Sequence, residues 1–308
     1  MFQDFSVRSS PEQGIARLAA LRDAMATEGL DGFIVPRADA HQGEYVAPRD
    51  ERLAWLTGFT GSAGWAVALP ERAAVFVDGR YTVQAKAQVA DVFERIDWPA
   101  TGIATWIAGA LETGRVGFDP WLLTVEQRRT LAAGLGEGVS LVACENLVDR
   151  IWEDQPAAPC GEVTSQPVGL AGETHQDKIA RLAAGLSKAQ ACVITLPDSI
   201  AWLLNIRGSD IVRNPVPHGF AILHADARVT LFMEREKLSA LGDHLGGAVE
   251  IRPPDAFSDR LSALDGPVQI DPASCPVAVA DALRAEIVEA PDPCLLPKAR
   301  KTAAELQG

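Results

Sequence analysis

The chain has 308 residues, of which 47% are hydrophobic and 22% are charged, a composition typical of globular proteins. Its net charge of −13 disfavours a nucleic-acid partner, because the phosphate backbone would repel such a surface. No apolar run is long enough to span a bilayer, and the first residues lack the basic and apolar regions of a signal peptide. We therefore expect a cytoplasmic protein with no membrane partner.

The five cysteines are widely spaced, form no CxxC pair and are odd in number. This pattern favours reduced thiols over a disulfide framework or a zinc site.

The first half of the sequence predicts alternating helices and strands. Helices are predicted at residues 15–29, 81–89 and 125–135, and strands at 32–35, 65–69, 73–77 and 116–118. The strands at 65–69 and 73–77 are joined by a short Pro-containing turn, which is typical of a hairpin.

The second half repeats this order. Three matches support a duplication: residues 15–20 with 179–184, 53–62 with 200–209, and 116–120 with 268–272. The repeated strands are predicted at 191–194, 220–223, 229–232 and 268–270, and the repeated helices at 235–245 and 277–287. The sequence between the first two matched segments is longer in the first half than in the second, and residues 36–52 can supply the extra length.

Helices mixed with hairpins and single strands predict an α/β fold in which each half has a mixed β-sheet flanked by helices. We place the first domain at residues 1–155 and the second at 173–296. Residues 156–172 are rich in Pro and Gly, which is typical of a linker.

Residues 297–308 contain strong helix formers after Pro297, and Thr302 with Glu305 fits a capping box. This segment predicts the start of a helix that leads into a further domain, and the alternative is a short terminal helix.

Several motifs carry a family resemblance. In the first half these are residues 39–45 (DAHQGEY), 50–52 (DER), 57–64 (TGFTGSAG) and 78–81 (DGRY). In the second half they are residues 200–210, 214–216 and 295–306. Together they resemble the two creatinase/prolidase N-terminal domains of three-domain aminopeptidases P, which belong to the pita-bread metallopeptidases.

The resemblance implies that a parent enzyme is a hydrolase that releases the N-terminal residue preceding proline. Its catalytic domain, absent from residues 1–308, would hold two divalent metal ions, commonly manganese, which activate a water molecule. None of the family's metal ligands or catalytic residues can be carried over to this chain, so we expect residues 1–308 alone to be inactive and to bind no cofactor. The expected partners are the parent's own catalytic domain, a second copy in a homodimer, and peptides with proline at the second position.

Candidate residues for a substrate rim or an interface come from both halves. In the first half they are His41, Tyr45, Asp50, Arg52, Phe59 and Arg80. The alternatives are a buried polar network around His41 and a loop held by an Asp50–Arg52 ion pair. We expect no metal site at His41, because its loop supplies too few ligands.

In the second half the candidates are Arg207, Asp210 and Asn214, on a loop that Pro215 and Pro217 make stiff. The alternative is an internal Arg207–Asp210 pair.

Two other functions remain open at this point. One is a stand-alone module that binds a small molecule or a protein, and the other is the front part of a prolidase or creatinase. The second of these is disfavoured by the duplicated domain that carries residues 207–210. A reading frame continuing into a metal-binding peptidase domain would separate these possibilities.

Overall fold

The computed structural model describes residues 9–307, which divide into two compact units. The first unit comprises the described residues up to Ala38, Pro48–Leu123 and Gln127–Ala157. The second comprises Asp39–Ala47, Thr124–Glu126 and the described residues from Ala158 onward. The segment 39–47 therefore belongs to the second unit, although the sequence predicts it inside the first domain.

The first unit contains a six-stranded mixed sheet. Its strands are β1 (Gly32–Pro36), β2 (Trp65–Ala68), β3 (Ala73–Val77), β4 (Glu94–Asp97), β5 (Gly114–Phe118) and β6 (Val139–Ala143). Their spatial order is β4-β3-β2-β1-β5-β6, in which β1/β2 and β2/β3 are antiparallel and the other pairs are parallel.

The helices that accompany this sheet are α1 (Gly14–Thr27), α2 (Arg52–Thr57), α3 (Thr82–Gln88), α4 (Ile103–Ala108), α5 (Val125–Gly134) and α6 (Leu147–Ile151). A short 3₁₀ helix at Pro48–Asp50 precedes α2. Helix α1 buries Leu18, Leu21 and Met25, whose spacing places them on one face of the helix. That face packs into a core with Phe33 and Phe59.

The second unit contains an equivalent sheet. Its strands are β8 (Ala191–Ile194), β10 (Phe220–His224), β11 (Val229–Phe232), β12 (Val249–Arg252), β13 (Val268–Ile270) and β14 (Ile287–Glu289). The order β12-β11-β10-β8-β13-β14 matches the first sheet strand for strand, with the same parallel and antiparallel pairs. The predicted duplication and the predicted α/β fold are thus confirmed.

Two short strands, seven α-helices and a 3₁₀ helix complete the second unit within the described residues. The strands are β7 (Thr164–Ser165) and β9 (Ile206–Arg207). The helices are α7 (Val168–Ala171), α8 (His175–Ala184), α9 (Pro197–Leu203), α10 (Ala256–Ser262), α11 (Val277–Ala282), α12 (Leu295–Ala299) and α13 (Ala303–Gln307).

The segment 156–172 differs from a simple linker. Strand β7 pairs antiparallel with β9, and Val163 is fully buried in the core of the second unit. The Pro and Gly content indicated a loop, but the segment gains a ladder partner about forty residues away in sequence. Local composition cannot report such a partner.

Two predicted helices are shorter in the structure. The helix predicted at 235–245 is a 3₁₀ helix at Arg235–Leu241, and it ends at Gly242, which has a positive φ of 52°. The helix predicted at 277–287 ends at Ala282, because Ile287–Glu289 instead pairs with β13. By contrast, the predicted capping box is present: Glu305 N donates to Thr302 Oγ1 and Thr302 N donates to Glu305 Oε2.

Candidate functional site

The segment 39–47 starts with a turn that Asp39 holds. Asp39 Oδ1 accepts hydrogen bonds from the backbone N–H of His41 at 2.9 Å and of Gly43 at 3.2 Å. Short Asp side chains favour such local bonds to the backbone that follows them. The turn places the imidazole of His41 inside the second unit, where 9% of the residue is exposed.

The rings of His41 and His218 stack in this interior. The centroids of the two imidazole rings are 4.3 Å apart. The ring of Phe220, which is a residue of β10, has its centroid 4.5 Å from that of His41. Burial lowers the pKa of His41 to about 4, and burial and the neighbouring His41 lower that of His218. Both rings are therefore neutral at pH 7, and His218 Nε2 lies 3.5 Å from Asp39 Oδ2. This arrangement is the buried polar network that the sequence offered as an alternative to a rim.

Asp210 lies in a second buried contact of the same unit. It forms an ion pair with Lys237, and the two side chains are 0% and 3% exposed. Asp210 also accepts from the backbone N–H of Gly161 at 2.7 Å and of His218 at 2.6 Å. These bonds satisfy the carboxylate and close the loop between Asp210 and His218. The alternative of an internal Arg207–Asp210 pair is therefore wrong.

Asp50 and Arg52 form the ion pair that the sequence offered as an alternative, at 2.8 Å in the first unit. Arg52 also makes a bidentate contact with Asp149, at 2.6 and 2.8 Å. Burial by itself lowers the pKa of Arg52, but the hydrogen bonds and charges of the two carboxylates outweigh it and raise the pKa. Arg52 thus joins α2 to α6, and neither Asp50 nor Arg52 projects from the surface.

The other candidates differ in exposure. Phe59 is 1% exposed and packs edge-on against Tyr81, so it offers no surface to a partner. Tyr45 is 50% exposed, and the exposed guanidinium of Arg80 pairs with Asp78 at 2.7 Å. Asn214 is half-buried in the stiff loop, where its backbone N–H donates to the carbonyl of Ile211.

Arg207 lies in the wall of a cavity of about 370 Å³ in the second unit. Lys178, Trp202 and Asn205 line the same cavity. The sequence did not identify Lys178 and Lys237 as buried residues, because a lysine on an amphipathic helix normally lies on the solvated face. The only local signal for Lys178 is its position next to the repeated segment 179–184.

Residues 9–307 contain neither a cluster of metal ligands nor a helix suited to a membrane. No group of three or more His, Cys, Asp or Glu side chains in that range is arranged to hold a metal ion. None of the helices described there combines the length and apolar character needed to cross a membrane.

Comparison with known families gives two matches of the same description. Residues 17–151 and residues 154–305 each match a family described as "Creatinase/Prolidase N-terminal domain".

Curated relatives match over nearly the whole chain. A probable Xaa-Pro aminopeptidase P from Coccidioides posadasii is 36% identical over 99% of this chain and 50% of the relative. A probable Xaa-Pro aminopeptidase P from Talaromyces stipitatus has the same identity and the same shares. The chain thus spans about half the length of the curated relatives it matches.

A solved structure has the same architecture. The X-prolyl aminopeptidase from Caenorhabditis elegans, described as a cytosolic enzyme with a di-nuclear active site, aligns with a TM-score of 0.84 at 28% identity. The alignment covers 96% of this chain and 52% of that enzyme.

Proposed function

Because the chain belongs to the creatinase/prolidase N-terminal domain family and contains that domain twice, we propose that it is the non-catalytic front portion of an Xaa-Pro aminopeptidase. The main support for the proposal is the structural alignment with the Caenorhabditis elegans enzyme. Nearly all of this chain corresponds to about half of that enzyme. The names of the curated relatives favour an aminopeptidase over a prolidase or creatinase.

In this proposal, the peptidase chemistry belongs to a further domain of the parent enzyme. That domain would hold two divalent metal ions, manganese in our proposal, which polarise the scissile carbonyl and activate a water molecule. The parent would release the N-terminal residue of peptides that have proline at the second position.

The role of residues 1–308 would be to limit access to the cleft and to support a homodimer in the cytoplasm. The buried ion pair Asp210–Lys237 and the part-buried pair Arg52–Asp149 support this role, because walls around a cleft need rigid loops. The exposed Tyr45, Arg80 and half-buried Asn214 are the candidates for contact with the catalytic domain or the second copy.

The proposal is tested by assaying the 308-residue chain and the product of its complete reading frame with manganese. The substrates are a tripeptide with proline at position two and a matched tripeptide with alanine there. We expect the complete product to cleave only the proline peptide and the 308-residue chain to cleave neither. Turnover by residues 1–308 alone would contradict a non-catalytic role, and a complete product inactive on the proline peptide would contradict the parent activity.

Dimerisation is tested separately by sedimentation of the complete product and of a form that lacks residues 1–155. We expect the complete product to be a dimer and the deletion to be a monomer. A dimer that survives the deletion would argue against a role of the first domain in pairing.

A further inference from the structure

The cavity in the second unit is lined by both apolar and charged residues. The apolar ones are Leu170, Ala171, Trp202 and Ala304. The cavity volume of about 370 Å³ is in the range of pockets that enclose small organic molecules. An indole face with three aliphatic neighbours suits a short hydrocarbon or ring.

The cavity lining also contains Lys178, which is 1% exposed. Its ammonium donates to the carbonyl of Trp202 at 2.9 Å and to Asn205 Oδ1 at 2.7 Å, and it lies 4.3 Å from the Trp202 ring centroid. An ammonium has three N–H donors, so one remains after these two bonds. Both acceptors are neutral, and no described carboxylate forms an ion pair with this ammonium, although the charges of Glu305 and Glu173 act on it from farther away.

Arg207 and Lys301 add two more cations to the lining. Arg207 donates to the carbonyl of Ile206 at 2.8 Å, and Lys301 donates to the carbonyl of Lys298 at 2.9 Å. Among the residues that the structure describes, neither side chain forms an ion pair with a carboxylate. Lys301 is exposed to solvent, whereas Arg207 is half-buried, so the charge of Arg207 is the less hydrated of the two.

Glu305 is the one acidic side chain among the described residues that line the cavity. Its carboxylate accepts from the N–H of Thr302 in the capping box, at 2.8 Å, and forms no ion pair with Lys178 or Arg207. Burial lowers the pKa of Lys178 to about 8, and the charges of Glu305 and Glu173 only partly oppose this. Glu305 therefore leaves the cavity with an excess of positive charge.

We propose that this cavity binds a small organic anion, whose acidic group lies between Lys178 and Arg207 and whose apolar part lies against Trp202. Charge-assisted hydrogen bonds from an ammonium and a planar guanidinium suit a carboxylate or a phosphate monoester. The site lies in the second unit alone, so the inference is independent of the proposed peptidase role.

The proposal is tested by titrating the 308-residue chain with four six-carbon probes in a calorimeter at pH 7. Hexanoate and hexyl phosphate are the two anions, hexylamine is the cation, and 1-hexanol is the neutral control. We expect saturable binding of at least one anion with a Kd of about 1 mM or tighter, and none of hexylamine or 1-hexanol. The better of the two anions identifies the acidic group. Equal binding of hexanol, or no binding of either anion, overturns the proposal.

Three variants locate the site. Arg207→Met should weaken anion binding roughly tenfold or more, because a charged hydrogen bond is lost. Leu170→Glu places a negative charge at an exposed position of the cavity lining and should also weaken anion binding. Glu305→Gln keeps the capping box, since glutamine also caps, and should strengthen binding by removing a repulsive charge.

Arg228→Met is the matched control, because Arg228 is exposed and pairs with Asp226 away from the cavity lining. It should leave anion binding unchanged. The unfolding midpoint of each variant shows whether the fold is retained. Unchanged affinity in folded Arg207→Met and Leu170→Glu, or weaker binding in Glu305→Gln, would place the anion elsewhere and overturn the proposal.

Discussion

The carboxylate of Asp210 and the ammonium of Lys237 form an ion pair from which solvent is excluded, with side-chain exposures of 0% and 3%. The pair joins the loop after β9 to the 3₁₀ helix at Arg235–Leu241. Lys237 also donates to the carbonyl of His218 at 2.8 Å. Loss of one member leaves a buried charge without compensation, which costs more than the intact pair contributes.

Asp210→Asn should therefore lower the free energy of unfolding by about 3–5 kcal/mol, because Lys237 stays buried without its counterion. Urea unfolding followed by circular dichroism measures the change. The double variant Asp210→Asn/Lys237→Met should be more stable than Asp210→Asn, since the orphaned charge is removed with its partner. If the stability losses of Asp210→Asn and of Lys237→Met simply add up in the double variant, the two side chains are not energetically coupled.

The matched control for this pair is Asp226→Asn. Asp226 and Arg228 form an ion pair with side-chain exposures of 55% and 61%, where water and salt screen the charges. We expect the stability to change by no more than about 0.5 kcal/mol.

The stacked histidines predict a pH dependence of stability. The folded pKa of His41 is about 4, below its value of 6.5 in the unfolded chain, so the unfolded chain binds more protons between these values. Stability from neutral His41 is fully present above pH 6.5 and is lost as the pH falls toward 4. The charged or titratable groups around the ring are His218, Asp39, Asp210 and Lys237.

His41→Phe isolates this contribution. Between pH 7.5 and pH 5, the wild-type chain should lose about 2 kcal/mol more stability than the variant, which has one fewer titrating group. Urea unfolding at both pH values gives the difference, and background titration of the carboxylates cancels in the comparison. Identical pH dependence of the two proteins would mean that His41 is not held neutral by burial.

Substitution of Arg52 should strongly reduce the stability of the first unit. Its side chain is 6% exposed and contacts Asp149 through two nitrogens and Asp50 through a third. Arg52→Met should destabilise the unit by about 3–5 kcal/mol, because two carboxylates lose their shared partner. Arg52→Lys should rescue only part of this loss, since an ammonium cannot reproduce the planar fork.

A control for Arg52 is the contact between Arg72 and Glu94. It is also bidentate, at 2.8 and 2.9 Å, but its side chains are 44% and 40% exposed. Arg72→Met should change the urea midpoint far less than Arg52→Met. Equal midpoints for the two variants would show that burial does not set the strength of the Arg52 contacts.

A side chain at Gly58 should destabilise the first unit because of the local backbone conformation. It ends α2 with a φ of +86°, and an added Cβ would lie 2.3 Å from the carbonyl oxygen of Gln88. Gly58→Ala should cost about 1–3 kcal/mol or more, because both the backbone conformation and the close approach resist a side chain. Gly79→Ala is the control, since nothing lies within 4 Å of its added Cβ. Thermal unfolding of both variants measures the contrast, and similar Tm values would contradict it.

Much of the fold follows from local patterns. The apolar periodicity of residues 15–29, the hairpin around Pro70 and the repeated landmarks predicted helices, strands and a duplication that the two sheets confirm. The capping box of Thr302 and Glu305 was also predicted correctly, because its hydrogen bonds join residues close in sequence. Such features depend on neighbouring residues and leave a mark in composition and spacing.

The partners of the charged residues were not predictable in this way. Asp210 pairs with Lys237 instead of with the nearby Arg207, and Arg52 reaches Asp149 as well as the adjacent Asp50. Lys178 faces a cavity whose lining comes from residues as far apart as Gln166 and Glu305. The sequence by itself determined the elements, their repeat and the family resemblance. Only the tertiary structure decided which charges meet and which face a cavity, because those contacts join side chains whose distance in space is unrelated to their distance along the chain.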